Sequence, residues 1–147
     1  MPTRLGIEGK LYRNVGTYAD PNWLEVSNVR DLTLTLEKDE VDTTSRANAG
    51  WKAFRYTLRN VSIEFDMLWD SSDTHLQFFL AAFLNSGTVI ECAVLDGPIT
   101  ANGSQGLRAS FEVGRVTRNE PMGDVMTVNI LLRPTNASNP PEWFTVP

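Results

Sequence analysis

The fold of this chain is constrained most by two segments with alternating apolar and polar side chains. A long polar stretch separates them. Leucine alternates with Thr and Glu over residues 32–37, and Val, Ile, Phe and Met alternate with Ser, Glu and Asp over residues 61–67. Because successive side chains of a strand point to opposite faces, each segment predicts a strand with one buried face and one polar face.

The stretch between these two strands is too long for an ordinary turn. It has roughly 20 residues rich in Asp, Thr, Ser, Asn, Ala and Gly, whereas a hairpin loop usually has about two to five. Loops of this length in compact domains are usually functional or bound to a partner. We therefore predict a docking element over residues 38–56, called the arm below.

Further predicted strands indicate a mainly β fold. They lie at residues 7–14, 23–28, 88–95, 107–113 and 126–132. Seven or so short strands with one helix are typical of an α+β domain built as a two-sheet antiparallel β-sandwich or flattened barrel with one flanking α-helix. At 147 residues, we expect one domain over residues 1–147, with an extended C-terminal tail at 134–147 where prolines exclude a central strand.

The single predicted helix spans residues 74–85. It follows Asp70-Ser71-Ser72-Asp73, whose side chains can cap the first backbone N–H groups. The helical period places one apolar stripe toward the sheets and Phe78 on the opposite side, where it is either an ordinary exposed residue or a contact for a neighbouring subunit. The predicted stripe consists of Leu76, Phe79, Leu80 and Phe83.

The charge balance argues against a protein that grips nucleic acid. Thirteen basic and eighteen acidic side chains give a net charge of −5, whereas Lys and Arg contacts to phosphates supply most non-specific affinity for DNA. The N-terminus has no apolar signal core, and the longest strongly apolar run, residues 78–84, is too short to span a membrane. We therefore expect a soluble protein that is made in the cytoplasm.

The sequence does not favour an enzyme. One cysteine and one histidine exclude an internal disulfide and a structural zinc site, and we expect Cys92 in the core and His75 in a structural role on the first helical turn. Residues 103–106 lack the spacing of a nucleophile elbow, and the acidic run at 37–42 lacks the spacing of a calcium loop. We predict no catalytic residue, no metal and no cofactor.

The order of features around the arm is similar to that of a known family. An alternating strand, then residues 41–46 (Val-Asp-Thr-Thr-Ser-Arg), then Gly50-Trp51 and a second alternating strand resemble the tail tube, or major tail, proteins of long-tailed bacteriophages and phage-derived injection machines. Matching segments extend over residues 6–135. The resemblance implies that six copies close into a ring whose inner sheets join into one barrel. It also implies that the rings stack into a hollow tube around a tape measure protein and that the tube later conducts DNA.

The same resemblance suggests partners and sites. The partners would be further copies of this chain, the tape measure protein, the tail terminator, baseplate or tail-tip proteins and passing DNA, but no membrane, and the location would be the virion tail assembled in the host bacterial cytoplasm. The arm would reach a neighbouring subunit or the next ring through Asp42, Thr43, Thr44 and Arg46, with Trp51 as its anchor. Trp143 and Phe144 on the C-terminal tail suggest that this tail also docks onto something.

The polar faces of the predicted strands are candidates to line the channel. A negative lining would let DNA slide without sticking, although acidity also serves plain solubility and some of these positions could face outer solvent. Arg108 is the one basic exception on these faces. The candidate channel residues are Thr33, Thr35, Glu37, Ser62, Glu64, Asp66, Ser110, Glu112, Thr127 and Asn129.

Two other functions fit the sequence. One is the inner tube of a contractile injection or secretion device, which would carry a protein cargo and would be recognised by neighbouring genes for a sheath and a baseplate. The other is a monomeric β-sandwich that binds a ligand such as a sugar through Trp23, Trp69 or Trp143. Measurement of size separates a monomer from a tube.

Overall fold

A computed structural model describes residues 3–85, 87–136 and 138–147. Single-turn 3-10 helices lie at Gly6–Glu8 and Arg46–Asn48. The remaining elements are β1 (Lys10–Asn14), β2 (Trp23–Glu25), β3 (Val29–Asp42), β4 (Phe54–Leu68), α1 (Thr74–Leu84), β5 (Ile90–Leu95), β6 (Gln105–Asn119), β7 (Thr127–Pro134) and β8 (Glu142–Thr145). The predicted mainly β, antiparallel fold with one flanking helix is confirmed.

The strands form one continuous sheet, which strand β6 divides into two halves. The order is β2-β1-β5-β6-β7-β4-β3, with β8 beside β6. Strand β6 belongs to both halves, because its first part pairs with β5 through residues 106–111 and its second part pairs with β7 through residues 111–119. A bulge between Val113 and Arg115 interrupts the register, and bulges bend the strand that carries them.

The two halves of the sheet enclose a common core with the helix. Alternate residues of β4 and β7 are buried together with those of β5 and β6, as their periodicity predicts. Phe79 of α1 packs edge-to-face on Phe65 of β4, with 5.4 Å between the ring centroids. Edge-to-face aromatic pairs contribute about 0.5–1.5 kcal/mol beyond their area, so this contact fixes the helix on the sheet.

The start of the helix is where the sequence places it. The Asp73 carboxylate accepts hydrogen bonds from the backbone N–H groups of His75 and Leu76, which is the expected N-cap. The predicted apolar stripe is only partly correct, because Leu76 and Phe79 are fully buried, whereas Phe83 is exposed and Ala82 is buried in its place.

The arm is mostly a β-hairpin rather than an irregular loop. Strand β3 continues to Asp42 and β4 begins at Phe54, so only residues 43–53 lie between the strands. The hairpin is closed by a hydrogen bond from the Thr43 N–H to the Ala53 carbonyl, 2.9 Å. The turn passes through two left-handed residues, Ala49 (φ 54°) and Gly50 (φ 88°), of which only glycine adopts this region without steric cost.

Candidate assembly surfaces

Most of the candidate channel residues lie on one face of β3, β4 and β7. Residues directly opposite in an antiparallel pair share a face, and the register sets Thr33 opposite Glu64 and Asp66 opposite Asn129. The opposite face of these strands is buried in the core. Eight of the candidates therefore share what we call the polar face, namely Thr33, Thr35, Glu37, Ser62, Glu64, Asp66, Thr127 and Asn129.

The other two candidates lie at the bend of β6. Glu112 is opposite Arg133 of β7 and accepts a hydrogen bond from the Thr135 hydroxyl, so it extends the polar face. Ser110 is half-buried opposite Glu91 of β5, in the other half of the sheet.

A side-chain network crosses the polar face. The Asn129 amide donates to Asp66 Oδ1 at 2.8 Å, and Arg115 Nη2 donates to Glu64 Oε1 and to Asn129 Oδ1, both at 3.1 Å. The sequence pattern does not indicate Arg115, because simple alternation from Val113 places it on the apolar side. The bulge shifts the parity, and Gly114 between Val113 and Arg115 is the signal that could have indicated it.

Arg108, the expected basic exception, is not on the polar face but in a buried cluster. Its guanidinium pairs with Glu91, donates to the Tyr18 carbonyl at 2.7 Å, and lies 3.9 Å from the centroid of the Tyr18 ring. The rings of Trp23 and Phe144 lie at 5.1 and 5.8 Å from the same guanidinium. Arginine over aromatic faces is attracted by the ring quadrupole, so the cluster ties β2, β6 and β8 together.

The C-terminal tail docks onto this chain's own sheet. Residues 142–145 pair with residues 105–108 of β6, and Phe144 packs against Trp23 with 6.3 Å between centroids. Trp143 remains exposed, although its indole N–H donates to Gln105. Phe78, the helix residue expected on the far side, is half-buried beneath the Arg13 guanidinium, 4.0 Å from its ring centroid.

The turn of the arm is built by the residues expected to contact neighbours. The Asp42 carboxylate accepts from the Thr44 N–H at 2.8 Å, and the Thr44 hydroxyl accepts from the Ala53 N–H at 2.9 Å. Hydrogen bonds from Thr44 hold the pKa of Asp42 below its usual value. Arg46 is exposed and Trp51 is 78% exposed. A tryptophan so exposed is a common feature of a surface that is covered on assembly.

Three long edges of the sheet have no partner among the described strands. The outer edge of β3 is unpaired over its whole length, since β3 pairs only with β4. On β6, the edge over residues 112–119 is free because β5 reaches only Phe111. On β4, the edge over residues 54–62 is free because β7 begins to pair at Ile63. Unpaired edges are templates for pairing with another chain.

A groove of about 920 Å³ lies beside the free edge of β4. Its lining includes Leu36, Tyr56 and Leu58, which are 58%, 61% and 71% exposed, together with Pro140 and Pro141 from the segment before β8. Natural sheets usually protect such an edge with charges, prolines or a cover. An apolar groove along an open strand is instead suited to receive another segment.

The titratable residues considered for catalysis have structural positions. Cys92 is fully buried, and burial raises the pKa of its thiol to about 12. His75 Nδ1 accepts a hydrogen bond from Arg13 Nε at 3.1 Å; partial burial, and after it the Arg13 charge, lower the pKa of His75. Within the part of the chain that the structure describes, no group of three or more His, Cys, Asp or Glu side chains is arranged to hold a metal. No helix of that part is long and apolar enough to cross a membrane.

Comparison with known proteins identifies the fold. No family model and no curated protein matches the sequence. Among solved structures, a chain from the SPP1 tail tube is similar over 97% of this chain and 80% of its own, with a TM-score of 0.75 and 10% identity. A chain in the virion of a native gene transfer agent particle has a TM-score of 0.71 and 14% identity, covering 97% of this chain and 100% of its own.

A third similar chain comes from the baseplate of the anti-feeding prophage, which was symmetrised six-fold. Its TM-score is 0.68 at 10% identity, and the match covers 99% of this chain and 97% of that one. Tail and baseplate structures therefore share the fold of this chain, and at these identities the fold is what the likeness establishes.

Proposed function

We propose that this protein is the structural subunit of a phage tail tube, in which six copies form a ring and rings stack into a hollow tube. The observation that carries the proposal is the four-stranded half-sheet β6-β7-β4-β3, which has a core face, a polar face and a free edge at each end. Six-fold symmetry of the assembled baseplate that contains one similar chain supports the ring.

The two outer edges of the half-sheet can close such a ring. In the proposed contact, the outer edge of β3 in one copy pairs with residues 112–119 of β6 in the next, which makes the interface heterologous and repeatable around an axis. Six copies of four strands would give a barrel of about 24 strands, and barrels of about 16–18 strands already enclose an aqueous channel.

The polar face would then line the channel. It carries four carboxylates, those of Glu37, Glu64, Asp66 and Glu112, against two arginines, Arg115 and Arg133. These six side chains contribute a net charge of −4 + 2 = −2 in each copy, and Arg30 and Asp31, which lie beside Asp66, cancel each other. A negative lining disfavours lasting contact with a phosphate backbone, so DNA could pass without being held.

The partners of the tube follow from this role. The channel would surround the tape measure protein during assembly, the ends would meet the tail terminator and the baseplate or tail-tip proteins, and DNA would pass through later. The arm would contact a neighbouring subunit or the next ring. The subunit would have no catalytic role and would reside in the virion tail after assembly in the host bacterial cytoplasm.

A second candidate is the inner tube of a contractile injection or secretion device that carries protein. The similarity to a chain of the anti-feeding prophage baseplate favours it. Genes for a sheath and a baseplate beside the gene for this chain would favour the contractile device over the phage tail tube. For the monomeric binding module, the rings of Trp23 and Trp69 lie close to the guanidinium groups of Arg108 and Arg118, and of the three candidate tryptophans only Trp143 is exposed.

Electron microscopy of the concentrated protein, together with its mass in solution, tests the proposal. We expect six-fold rings or hollow tubes in negative stain and species far larger than the 16.4 kDa chain. Material that stays at the mass of one chain up to millimolar concentration would overturn the proposal, and a compact monomer that binds a sugar would favour the ligand-binding module.

A further inference from the structure

The two strand segments that lead into and out of the arm carry opposite charge. Residues 37–42 of β3 contain four carboxylates and Lys38, whereas residues 54–60 of β4 contain Arg55 and Arg59 and no carboxylate. We call these segments the acidic strand and the basic strand. Together they place the two signs of charge on opposite sides of one hairpin.

Within the part of the chain that the structure describes, no ion pair neutralises these charges. None of the five ion pairs found in residues 3–85, 87–136 and 138–147 involves a side chain of the acidic or the basic strand. The register even sets Lys38 directly opposite Arg59, and like charges directly opposite destabilise an antiparallel pair. The hairpin therefore presents unneutralised charge of both signs to its surroundings.

Each of the two strands also has a free backbone edge. The acidic strand belongs to the outer edge of β3, which no described strand pairs. The basic strand is the part of β4 that extends beyond β7 and borders the groove. Both edges offer N–H and C=O groups for a further strand.

The side chains that line the groove indicate what kind of segment would bind in it. Its exposed side chains Leu36, Tyr56 and Leu58 require an apolar contact, and Lys38 and Arg59 contribute positive charge against the single carboxylate of Glu37. An extended segment with several carboxylates and an apolar side chain satisfies both. The acidic strand, Glu-Lys-Asp-Glu-Val-Asp, has this composition and is exposed throughout.

We propose that the acidic strand of one copy lies along the basic strand of the neighbouring copy, in the groove. This contact rests on the proposed tube function and adds to it the surface by which the arms recognise each other. It joins two different surfaces, so it repeats head to tail as a ring requires. It also continues the proposed ring contact, because the same outer edge of β3 that meets β6 of the next copy continues into the acidic strand, while β6 bends away at its bulge.

Charge reversal on each strand tests the contact. Variant A is Asp39→Lys/Glu40→Lys and variant B is Arg55→Glu/Arg59→Glu; all four residues are exposed, and none of their side chains forms a hydrogen bond with another described residue. Asp20→Lys/Asp124→Lys is the control, since it changes the net charge as variant A does at exposed positions outside the arm. Circular dichroism and thermal unfolding verify that every variant is folded.

We expect variants A and B each to raise the lowest concentration at which rings or tubes form by about tenfold or more, because like charges then face each other across the contact. The control should assemble as the wild type does. The combined four-substitution variant has the wild-type net charge and complementary strands again, so its assembly should recover. A and B mixed in equal amounts should co-assemble, because each then meets a neighbour of opposite charge.

The outcomes separate this contact from the tube function. Wild-type tubes together with variants A and B that assemble as readily as the wild type would overturn the arm contact alone. Failure of both the combined variant and the mixture, with all proteins folded, would overturn it as well. If the wild-type protein never assembles, both the proposed tube function and the proposed arm contact are wrong.

Discussion

At the scale of single residues, Arg108 shows how contacts distant in sequence decide what a charged side chain does. Alternation along β6 places it on a polar face, but Glu91 of β5 and Tyr18 of the loop after β1 enclose it. The sequence contains no local signal for this, because the partners are 17 and 90 positions away. The result is a buried ion pair that holds the outer strands.

Replacing Arg108 with Met should therefore destabilise the monomer strongly. Removing one partner of a buried pair leaves Glu91 uncompensated and costs about 3–5 kcal/mol. Urea unfolding followed by circular dichroism measures this loss. Arg4→Met, which breaks an exposed pair with Glu8, serves as the control and should cost no more than about 1 kcal/mol. A loss for Arg108→Met as small as that of the control would contradict the buried-pair interpretation.

His75 should make the stability of the fold depend on pH just below neutrality. In the folded protein its Nδ1 accepts from Arg13, and its pKa is lowered from the usual 6.5. Above pH 6.5 the contribution of His75 to the free energy of unfolding is fully present. As the pH falls below 6.5, the unfolded chain binds a proton at His75 before the folded chain does, so the protein loses stability until the pH passes the lowered pKa of the folded state. His75→Gln cannot titrate and should show a smaller change in melting temperature between pH 7.5 and 5. Equal pH dependence of the two proteins would show that His75 is not the group responsible.

At the scale of elements, the sequence predicts strands and the helix best where one face of the element is buried. The alternation of β3 and β4 near residues 32–37 and 61–67, the Asp73 cap and the burial of Phe79 are all confirmed. The outer part of the arm was missed as strand because both of its faces are exposed, so no apolar period marks it. For the bulge in β6, Gly114 is the one local signal, and the shift of register itself depends on the pairing with β7.

The tip of the arm should be needed for assembly but not for folding. Trp51 is largely exposed, so Trp51→Ala should change the free energy of unfolding by no more than about 0.5 kcal/mol. The same substitution, or deletion of residues 48–50, should block polymerisation, because a buried tryptophan is a usual interface anchor. Trp51→Phe retains an aromatic anchor and should assemble. Normal tubes from both the alanine and the deletion variants in negative stain would refute this role.

At the scale of the whole molecule, one face of the sheet is covered by the core, whereas the other face is exposed. The core face is closed by α1 and by both halves of the sheet, whereas the polar face, the three long edges and the arm have no cover among the described residues. An isolated sheet with such edges is prone to pair with other chains. A ring of identical copies would cover all three features at once, and this supports the proposal that they serve assembly.

If the polar face lines the channel of the tube, reversing its charge should make the tube bind DNA. Glu64→Lys/Asp66→Lys changes its charge in each copy from −2 to +2, because two carboxylates become two ammonium groups. Tubes of this variant should retain short DNA duplexes at low salt, measured by co-sedimentation, and should release them as salt is raised, since phosphate contacts weaken with ionic strength. Wild-type tubes should retain none. Glu120→Lys/Asp124→Lys makes the same change of charge on the exposed loop between β6 and β7 and distinguishes binding in the channel from binding outside. If that loop variant retains DNA as strongly, or if the Glu64 and Asp66 variant forms intact tubes that retain none, the polar face does not line the channel.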